Sequence, residues 1–240
     1  MITRVFIEDK ARQSQTTELN IAREYCQHLF LSNLYQQKLS DKILFKGGTA
    51  LKIIYNSPRF SEDLDFTGQR IRTREIEDMI IEVLTNISDL GISVNIKESE
   101  KTSGGYLGTL NFNFLDFDIE IQIEVSLRKT DKIEKQGLTI VSDFIPAYSI
   151  ITLSQEKIVQ EKIEALLARS KPRDWYDLYF ILRANLLPPR SRKLLKEILK
   201  KLTKEKIGFR DELKNFLPKN HHIILKDFKK NLEREIKRFS

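Results

Sequence analysis

The sequence predicts an α+β fold, in which a mixed sheet with flanking helices is followed by an all-helical domain. Between residues 42 and 141, short apolar or alternating segments typical of strands are interspersed with amphipathic helices. From Ser154 onward, the apolar residues follow helical spacing alone. The 240 residues suffice for one large domain or two small ones. We therefore predict an α/β domain over residues 1–150 and a helical domain over residues 151–240.

The strands and helices of the front half follow from local pattern. Residues 118–127 alternate between polar and apolar side chains, which is the period of a half-buried strand. Residues 42–46 form an apolar run that ends at two glycines, and Thr49 is expected to cap the helix that follows. The predicted strands are 42–46, 63–66, 92–97, 106–115, 118–127 and 138–141. The predicted helices are 17–38, 49–55 and 72–89.

The back half has its own boundary signals. Ser154 precedes an acidic first turn, which favours the start of a helix. Pro172 is expected just inside the next helix, and Pro188-Pro189 separates that helix from a basic tail. Four aromatic side chains are expected to pack between helices rather than to stack on nucleotide bases. They are Trp175, Tyr176, Tyr179 and Phe180.

The net charge of +7 is concentrated at one end of the chain. Residues 190–240 contain 17 Lys and Arg against 7 Asp and Glu, whereas residues 1–189 contain 24 against 27. A basic surface of this size suits a nucleic acid or another polyanion as partner. A Lys-rich helical tail that only faces solvent is the alternative.

Composition excludes several classes of protein. Cys26 is the only cysteine, so an intramolecular disulfide and a cysteine-based zinc cluster cannot form. The three histidines lack the spacing of a metalloprotease motif. No apolar run approaches the roughly 18–20 residues that a membrane span requires, and the charged first segment is unlike a signal peptide. We expect a cytoplasmic protein that does not insert into a membrane.

A strand, two glycines and the start of a helix meet at Lys46-Gly47-Gly48-Thr49. Glycine lets the backbone approach a ligand closely, and a helix N-terminus presents free N–H groups and the positive end of the helix dipole. The combination predicts a site for an anion such as phosphate. The turn is not a Walker A loop, because the required Gly-Lys-Ser/Thr is absent. A purely structural turn is the alternative.

Two carboxylates follow at Asp63 and Asp65, two positions apart on a predicted strand and so on the same face. Neighbouring carboxylates repel each other unless a cation lies between them, and Mg²⁺ prefers such oxygen ligands. A third carboxylate could be Asp118, Glu120 or Glu124, of which we favour Glu124. An exposed strand with no role is the alternative. A triphosphate turn beside a metal pair predicts nucleotidyl transfer.

The back half contains a second polar block. Lys162 and Arg169 are seven positions apart on one helix and lie on roughly one face, where they could meet a triphosphate. Asp174 and Asp177, one turn apart, also share a face. The alternatives are a solvated basic face, acidic residues that favour a helix start, and a structural Arg173–Asp177 pair.

The two blocks closely resemble those of the AbiEii/AbiGii family of nucleotidyltransferase toxins. The first block is KGGTAL at 46–51 with RFSEDLDF at 59–66, and the second is EKIEAL at 161–166 with Arg169 and RDWYDL at 173–178. The resemblance extends from about residue 15 to residue 185. It implies a polymerase-β-like nucleotidyltransferase core, an NTP co-substrate and Mg²⁺ or Mn²⁺. It also implies a cognate antitoxin, from a type IV toxin–antitoxin or abortive-infection system.

By motif match, the resemblance further implies the roles of individual residues. Asp63 and Asp65 would bind the metal, and Lys162 and Asp177 would complete the catalytic set. The nucleotide would contact residues of both blocks. These are Lys46, Gly47, Gly48, Thr49, Ser61, Lys162, Arg169 and Asp174.

The expected function is transfer of NMP from an NTP to an acceptor hydroxyl. The favoured acceptor is the 3′ end of tRNA, since the basic tail suits a phosphate backbone, and this modification would block translation and growth. Two alternatives stay open. One is nucleotide transfer to a Ser, Thr or Tyr of a protein, and the other is a non-catalytic RNA- or partner-binding module of the same fold.

Overall fold

The computed structural model describes residues 1–130, 132–204 and 208–239. Internal contacts divide the chain into two units. The first comprises Met1–Asn56 with Phe60–Leu153, and the second comprises Ser57–Arg59 with Ser154–Ser240. The predicted division into folding domains 1–150 and 151–240 stays a prediction. Within the described ranges, no helix is both long enough and apolar enough to cross a membrane.

The first unit is built on a mixed β-sheet. Its strands are β1 (Ile43–Lys46), β2 (Leu64–Gln69), β3 (Ser93–Thr102), β4 (Gly105–Phe114), β5 (Phe117–Arg128), β6 (Lys135–Ile140) and β7 (Tyr148–Leu153). Over the described residues they lie in the order β3-β4-β5-β2-β1-β7-β6. β1 is antiparallel to β2 and parallel to β7, and β2 is parallel to β5. This mixed sheet confirms the predicted α+β class.

Helices pack with the sheet in the first unit. They are α1 (Arg4–Gln13), α2 (Glu18–Leu34), α3 (Gly47–Tyr55) and α4 (Thr73–Asp89). On β5, Ile119, Ile121 and Ile123 are buried, whereas the polar residues between them are exposed. α2 packs on β5, and α4 packs on β3 and β4. The opposite, polar face of the sheet is therefore left for charged side chains.

The second unit is helical. Its helices are α5 (Gln155–Arg169), α6 (Pro172–Arg183), α7 (Leu195–Lys204), α8 (Phe209–Leu213), α9 (His222–Leu225) and α10 (Phe228–Phe239). The Ser154 hydroxyl accepts the Lys157 N–H at 3.3 Å and starts α5, and Pro172 is the first residue of α6, both as predicted. Trp175 is fully buried, and the Tyr176 ring stacks on Phe228 of α10 with centroids 6.0 Å apart. These two aromatic side chains are therefore core residues.

Several element boundaries differ from the sequence prediction. α3 begins at Gly47 rather than at Thr49, because Gly47 adopts φ +85° and turns the chain directly from β1 into the helix. α2 ends at Leu34 rather than at residue 38. Strand β7 and helix α1 are absent from the sequence prediction. β7 lies between β1 and β6, and its sequence YSIITL lacks the strict alternation of polar and apolar residues that marks a half-buried strand.

Candidate active site

Gly47 lies directly against the carboxylate of Asp65. A β-carbon built on Gly47 would fall 2.0 Å from Asp65 Oδ2 and 2.7 Å from its carboxyl carbon. Gly47 also has φ +85°, a left-handed conformation that residues with a β-carbon rarely adopt. Both features require glycine at this position. The glycine turn and the acidic motif, which are separate in the sequence, therefore form one site.

The N-terminus of α3 lies at this contact between Gly47 and Asp65. Lys46 occupies the N-cap position without a capping side-chain hydrogen bond, and the first turn of α3 contains no acidic residue. A helix start that has no capping side chain and no acidic residue in its first turn attracts anions through its N–H groups and its dipole. Thr49 does not cap the helix as predicted, because its hydroxyl donates to the backbone carbonyl of Asp63. Thr49 thus holds the acidic motif against α3.

Charged residues share the polar face of the sheet around Asp65. On β2, Asp65 is in register with Lys46 on β1 and with Glu124 on β5. Register partners on adjacent strands project to the same face. Asp63 lies one residue before β2 rather than on the strand as predicted, and both aspartates are partly exposed. The arrangement places carboxylate oxygens beside a helix start that is suited to binding an anion.

A buried amide holds the chain segment before Asp63. Gln27 of α2 is 3% exposed, and its Nε2 donates to the carbonyls of Ser61 at 2.9 Å and Glu62 at 3.2 Å. Arg23, one turn earlier on α2, pairs with Glu62 at 3.3 Å. Gln27 binds the carbonyls of Ser61 and Glu62, and Thr49 binds that of Asp63. These side-chain hydrogen bonds hold residues 61–63 just before β2, which begins at Leu64. A single glutamine in an amphipathic helix has no recognisable motif, so sequence reasoning could not find Gln27.

The three candidates for a third carboxylate have different neighbours. Asp118 accepts a hydrogen bond from Asn111 Nδ2 at 2.7 Å, and Glu120 is paired with Lys97. Glu124 is the candidate in register with Asp65. Glu120 lies four positions before Glu124 on β5, a distance of about 13 Å at the rise of an extended strand.

An open cavity of about 460 Å³ adjoins Asp63 on the polar face. Its other lining residues are Arg23, Glu62, Thr109, Asp118, Glu120 and Gln122. In the part of the chain that the structure describes, no three Asp, Glu, His or Cys side chains converge closely enough to hold a metal ion. A cation bound by Asp63 and Asp65 would therefore take further oxygens from water and phosphate, as Mg²⁺ commonly does. The donor chemistry of the pair fits such an ion.

In the second unit, Asp177 is buried between two cations. Arg59 Nε and its terminal nitrogen lie 2.8 and 3.0 Å from the two carboxylate oxygens, and Lys162 Nζ lies 2.7 Å from Oδ2. Burial alone would raise the pKa of Asp177, but the charges and hydrogen bonds of Arg59 and Lys162 outweigh it and lower the pKa to about 2. Asp177 is therefore ionised at neutral pH and pairs with these residues rather than with Arg173. Arg173 lies 4.0 Å from Glu212.

Asp174 has a separate position at the start of α6. Its carboxylate receives two hydrogen bonds from Arg169, at 2.8 and 3.0 Å, and one from the Lys171 N–H at 3.1 Å. The Asp174 side chain is fully buried, whereas Arg169 is half exposed. This geometry is that of an acidic residue stabilising a helix start, one of the predicted alternatives.

A family model described as "Nucleotidyl transferase AbiEii toxin, Type IV TA system" matches residues 29–239 of the sequence. This chain belongs to the AbiEii toxin family. It is accordingly an enzyme of the nucleotidyltransferase class, and the predicted family is confirmed. No curated protein matches the chain.

Two crystal structures from Helicobacter pylori share the fold of this AbiEii chain. One is of a protein provisionally assigned as a nucleotidyltransferase, with 18% identity and a TM-score of 0.62, covering 93% of this chain and 99% of that chain. The other is JHP933, with 21% identity and a TM-score of 0.61, covering 93% of this chain and 95% of that one. At these identities, the likeness concerns the fold.

The structure places the AbiEii motif residues in two groups. In the first unit, Lys46, Gly47, Gly48 and Thr49 join Asp63 and Asp65 around the start of α3. The Ser61 carbonyl is held by Gln27. In the second unit, Lys162 and Asp177 form one ion-paired cluster, and Arg169 and Asp174 form another. Arg59 has no role in the motif-based prediction. Its only signal in the sequence is its place at the start of the RFSEDLDF segment.

Proposed function

We propose that this AbiEii-family toxin transfers an NMP from an NTP to the 3′-hydroxyl of a tRNA, with Mg²⁺ or Mn²⁺ as cofactor. The observation that carries the proposal is the contact between Gly47 and Asp65, because it joins an anion-binding helix start to a pair of oxygen ligands. In the reaction, the acceptor oxygen forms a bond to the α-phosphorus, and the bond from that phosphorus to the β-phosphate breaks. Pyrophosphate leaves, and the hydroxyl proton is lost to solvent.

The first unit would supply the ligands for the cation and the phosphates. Asp63 and Asp65 would hold the cation. Glu124 is in register with Asp65 and stays the favoured third carboxylate, but among the described residues no three acidic side chains converge, so Glu124 would have to move to reach the cation. A bound cation stabilises the negative charge that grows on the phosphate oxygens. The N–H groups at the start of α3 would bind phosphate, with Gly47 and Gly48 admitting it to the backbone.

Lys162 stays the predicted cation for the triphosphate, on the strength of the family motif alone. Asp177 is better suited to orienting Lys162 than to contacting substrate, because it is 1% exposed and both its oxygens are hydrogen-bonded. Arg169 and Asp174 stay predicted nucleotide contacts, although their bidentate pairing also has a structural role.

An exposed basic stripe supports a nucleic-acid acceptor. Lys196, Lys200 and Lys204 are exposed on α7 at intervals of four, which places them along one side of the helix. On α10, Lys230, Arg234 and Lys237 are also exposed. Lysines and arginines arranged in this way release counterions from a phosphate backbone and bind it without reading its sequence. We propose this surface as the contact for the body of the tRNA.

The test is transfer of label from each α-labelled NTP, supplied separately, to purified tRNA and to total protein. We expect label on the tRNA 3′ end, and no label on tRNA whose terminal diol has been oxidised with periodate. Label on protein alone would favour modification of a Ser, Thr or Tyr. No label on either acceptor, with growth arrest that survives Asp63→Asn, would favour the non-catalytic binding module.

The family description also implies a partner. We propose that a cognate antitoxin counteracts this chain, and that the toxin acts in the cytoplasm, where a tRNA acceptor is found. Expression of the chain alone is expected to arrest growth. Arrest that is relieved by Asp65→Asn would support a catalytic cause.

A further inference from the structure

Arg59 and Lys162 share one buried carboxylate in the second unit. Arg59 is 4% exposed and bonds both oxygens of Asp177, whereas Lys162 is 12% exposed and bonds one of them. We propose that Arg59 is a positioning residue that offsets the charge of Asp177, so that the paired Lys162 ammonium still attracts the NTP triphosphate. The proposal rests on the proposed function, in which Lys162 is a triphosphate ligand.

The charges of the cluster give the reason. Asp177 contributes one negative charge, and Arg59 and Lys162 contribute two positive charges, so these three side chains sum to +1, and loss of Arg59 lowers the local charge by one. Without Arg59, Lys162 and Asp177 would form a neutral pair whose field on an approaching anion largely cancels. Arg59 therefore satisfies the carboxylate and leaves one positive charge in excess.

The geometry suits Arg59 to act through Asp177. A guanidinium binds a carboxylate with two parallel hydrogen bonds, which fixes the plane of the carboxylate. The direction of Asp177 Oδ2, and with it the position of Lys162 Nζ at 2.7 Å, is thereby set. Arg59 itself is too deeply buried to contact a nucleotide.

The chain offers a matched control for the loss of one arginine from such a cluster. Glu235, also in the second unit, is 3% exposed and lies between Arg183 at 3.2 Å and Arg238 at 2.9 Å. Arg183→Gln removes one cation from a buried carboxylate, as Arg59→Gln does. Arg183, Glu235 and Arg238 all lie outside the family motifs.

The experiment measures the Kd of an NTP, together with the melting temperature, for the wild type and each variant. Arg59→Gln is expected to weaken NTP binding about ten-fold or more, the order of one charge–charge interaction at a partly buried site. Arg183→Gln is expected to leave NTP binding unchanged. Equal NTP affinity in Arg59→Gln and Arg183→Gln would overturn the proposal, whatever their melting temperatures.

A double variant separates charge from packing. Arg59→Gln with Asp177→Asn restores the net charge of +1 while breaking the cluster further. We expect this double variant to regain NTP affinity relative to Arg59→Gln. If Arg59→Gln does not fold, the double variant is compared directly with the wild type. A ten-fold loss of NTP affinity in the double variant would then contradict the proposed role of the charge. A wild type that binds no NTP would instead refute the proposed function.

Discussion

Replacement of Gly47 by alanine should disable the enzyme far more than it destabilises the fold. An alanine at φ +85° costs about 1–2 kcal/mol in backbone strain. Its β-carbon would also lie 2.0 Å from Asp65 Oδ2, so the carboxylate must move by more than about 1 Å to reach van der Waals distance. A displacement of about 1 Å in a catalytic group can lower a rate about a hundred-fold.

Gly91→Ala is the matched control for this prediction. Gly91 has the same φ of +85°, but its nearest neighbour to an added β-carbon is Met1 Cε at 3.8 Å. Gly91→Ala therefore reproduces the backbone strain without the displaced carboxylate. Both variants are expected to lose about 2–8 °C in melting temperature for the strain alone. Only Gly47→Ala is expected to lose about a hundred-fold in transfer rate.

The assay is the rate of NMP transfer at saturating NTP, with thermal melting of the same samples. The temperature is set well below both transitions, so that the folded protein is compared. If Gly47→Ala transfers NMP within about three-fold of the rate of Gly91→Ala, the Gly47–Asp65 contact is not at the reacting centre.

Three further predictions concern Gln27, His28 and the basic stripe. Gln27→Leu leaves the Ser61 and Glu62 carbonyls without their donor. We expect a loss of about 1–3 kcal/mol in the free energy of unfolding, measured by denaturant titration. We also expect a slower rate of NMP transfer in the same assay. Burial, with the nearby charge of Lys52, lowers the pKa of His28 from 6.5 to about 4, so the unfolded chain binds the proton more readily between those pH values. Stability should therefore fall by up to about 3 kcal/mol as the pH drops from 6.5 to 4, and His28→Gln should reduce that loss in melts recorded across this range. Charge reversal at the basic stripe, as Lys196→Glu with Lys200→Glu, should weaken tRNA binding and flatten its salt dependence while leaving the NTP Kd unchanged; a parallel loss of NTP affinity would show that the stripe is not an acceptor surface.

Features that depend on local pattern could be predicted from the sequence. The alternation on β5 predicts its buried and exposed faces, and the Ser154 and Pro172 signals predict the starts of α5 and α6. The short run of β7 could not be recognised, because a strand inside a sheet lacks that alternation. The sequence prediction misplaces the start of α3, because threonine is a good N-cap residue. In the structure, the Thr49 hydroxyl instead donates a hydrogen bond to the Asp63 carbonyl.

Features of the candidate site that depend on strand register could not be predicted. The spacing of Asp63 and Asp65 indicates a metal pair, but only the pairing of β1 with β2 brings Asp65 beside Gly47. Arg59 and Asp177 are 118 positions apart, so no local pattern connects them. Long-range ion pairs of this kind are set by tertiary packing, which a single sequence does not reveal.

The most direct test of the central claim is NMP transfer by Asp65→Asn at saturating NTP and divalent metal. Asparagine has the shape of aspartate, so the contact with Gly47 is retained while the ligand charge is lost. Asp116→Asn, an aspartate that is 90% exposed, controls for the substitution itself. We expect Asp65→Asn to melt like the wild type but to lose transfer by at least about a hundred-fold. Transfer at the wild-type rate in folded Asp65→Asn would show that Asp65 is not a ligand at the reacting centre.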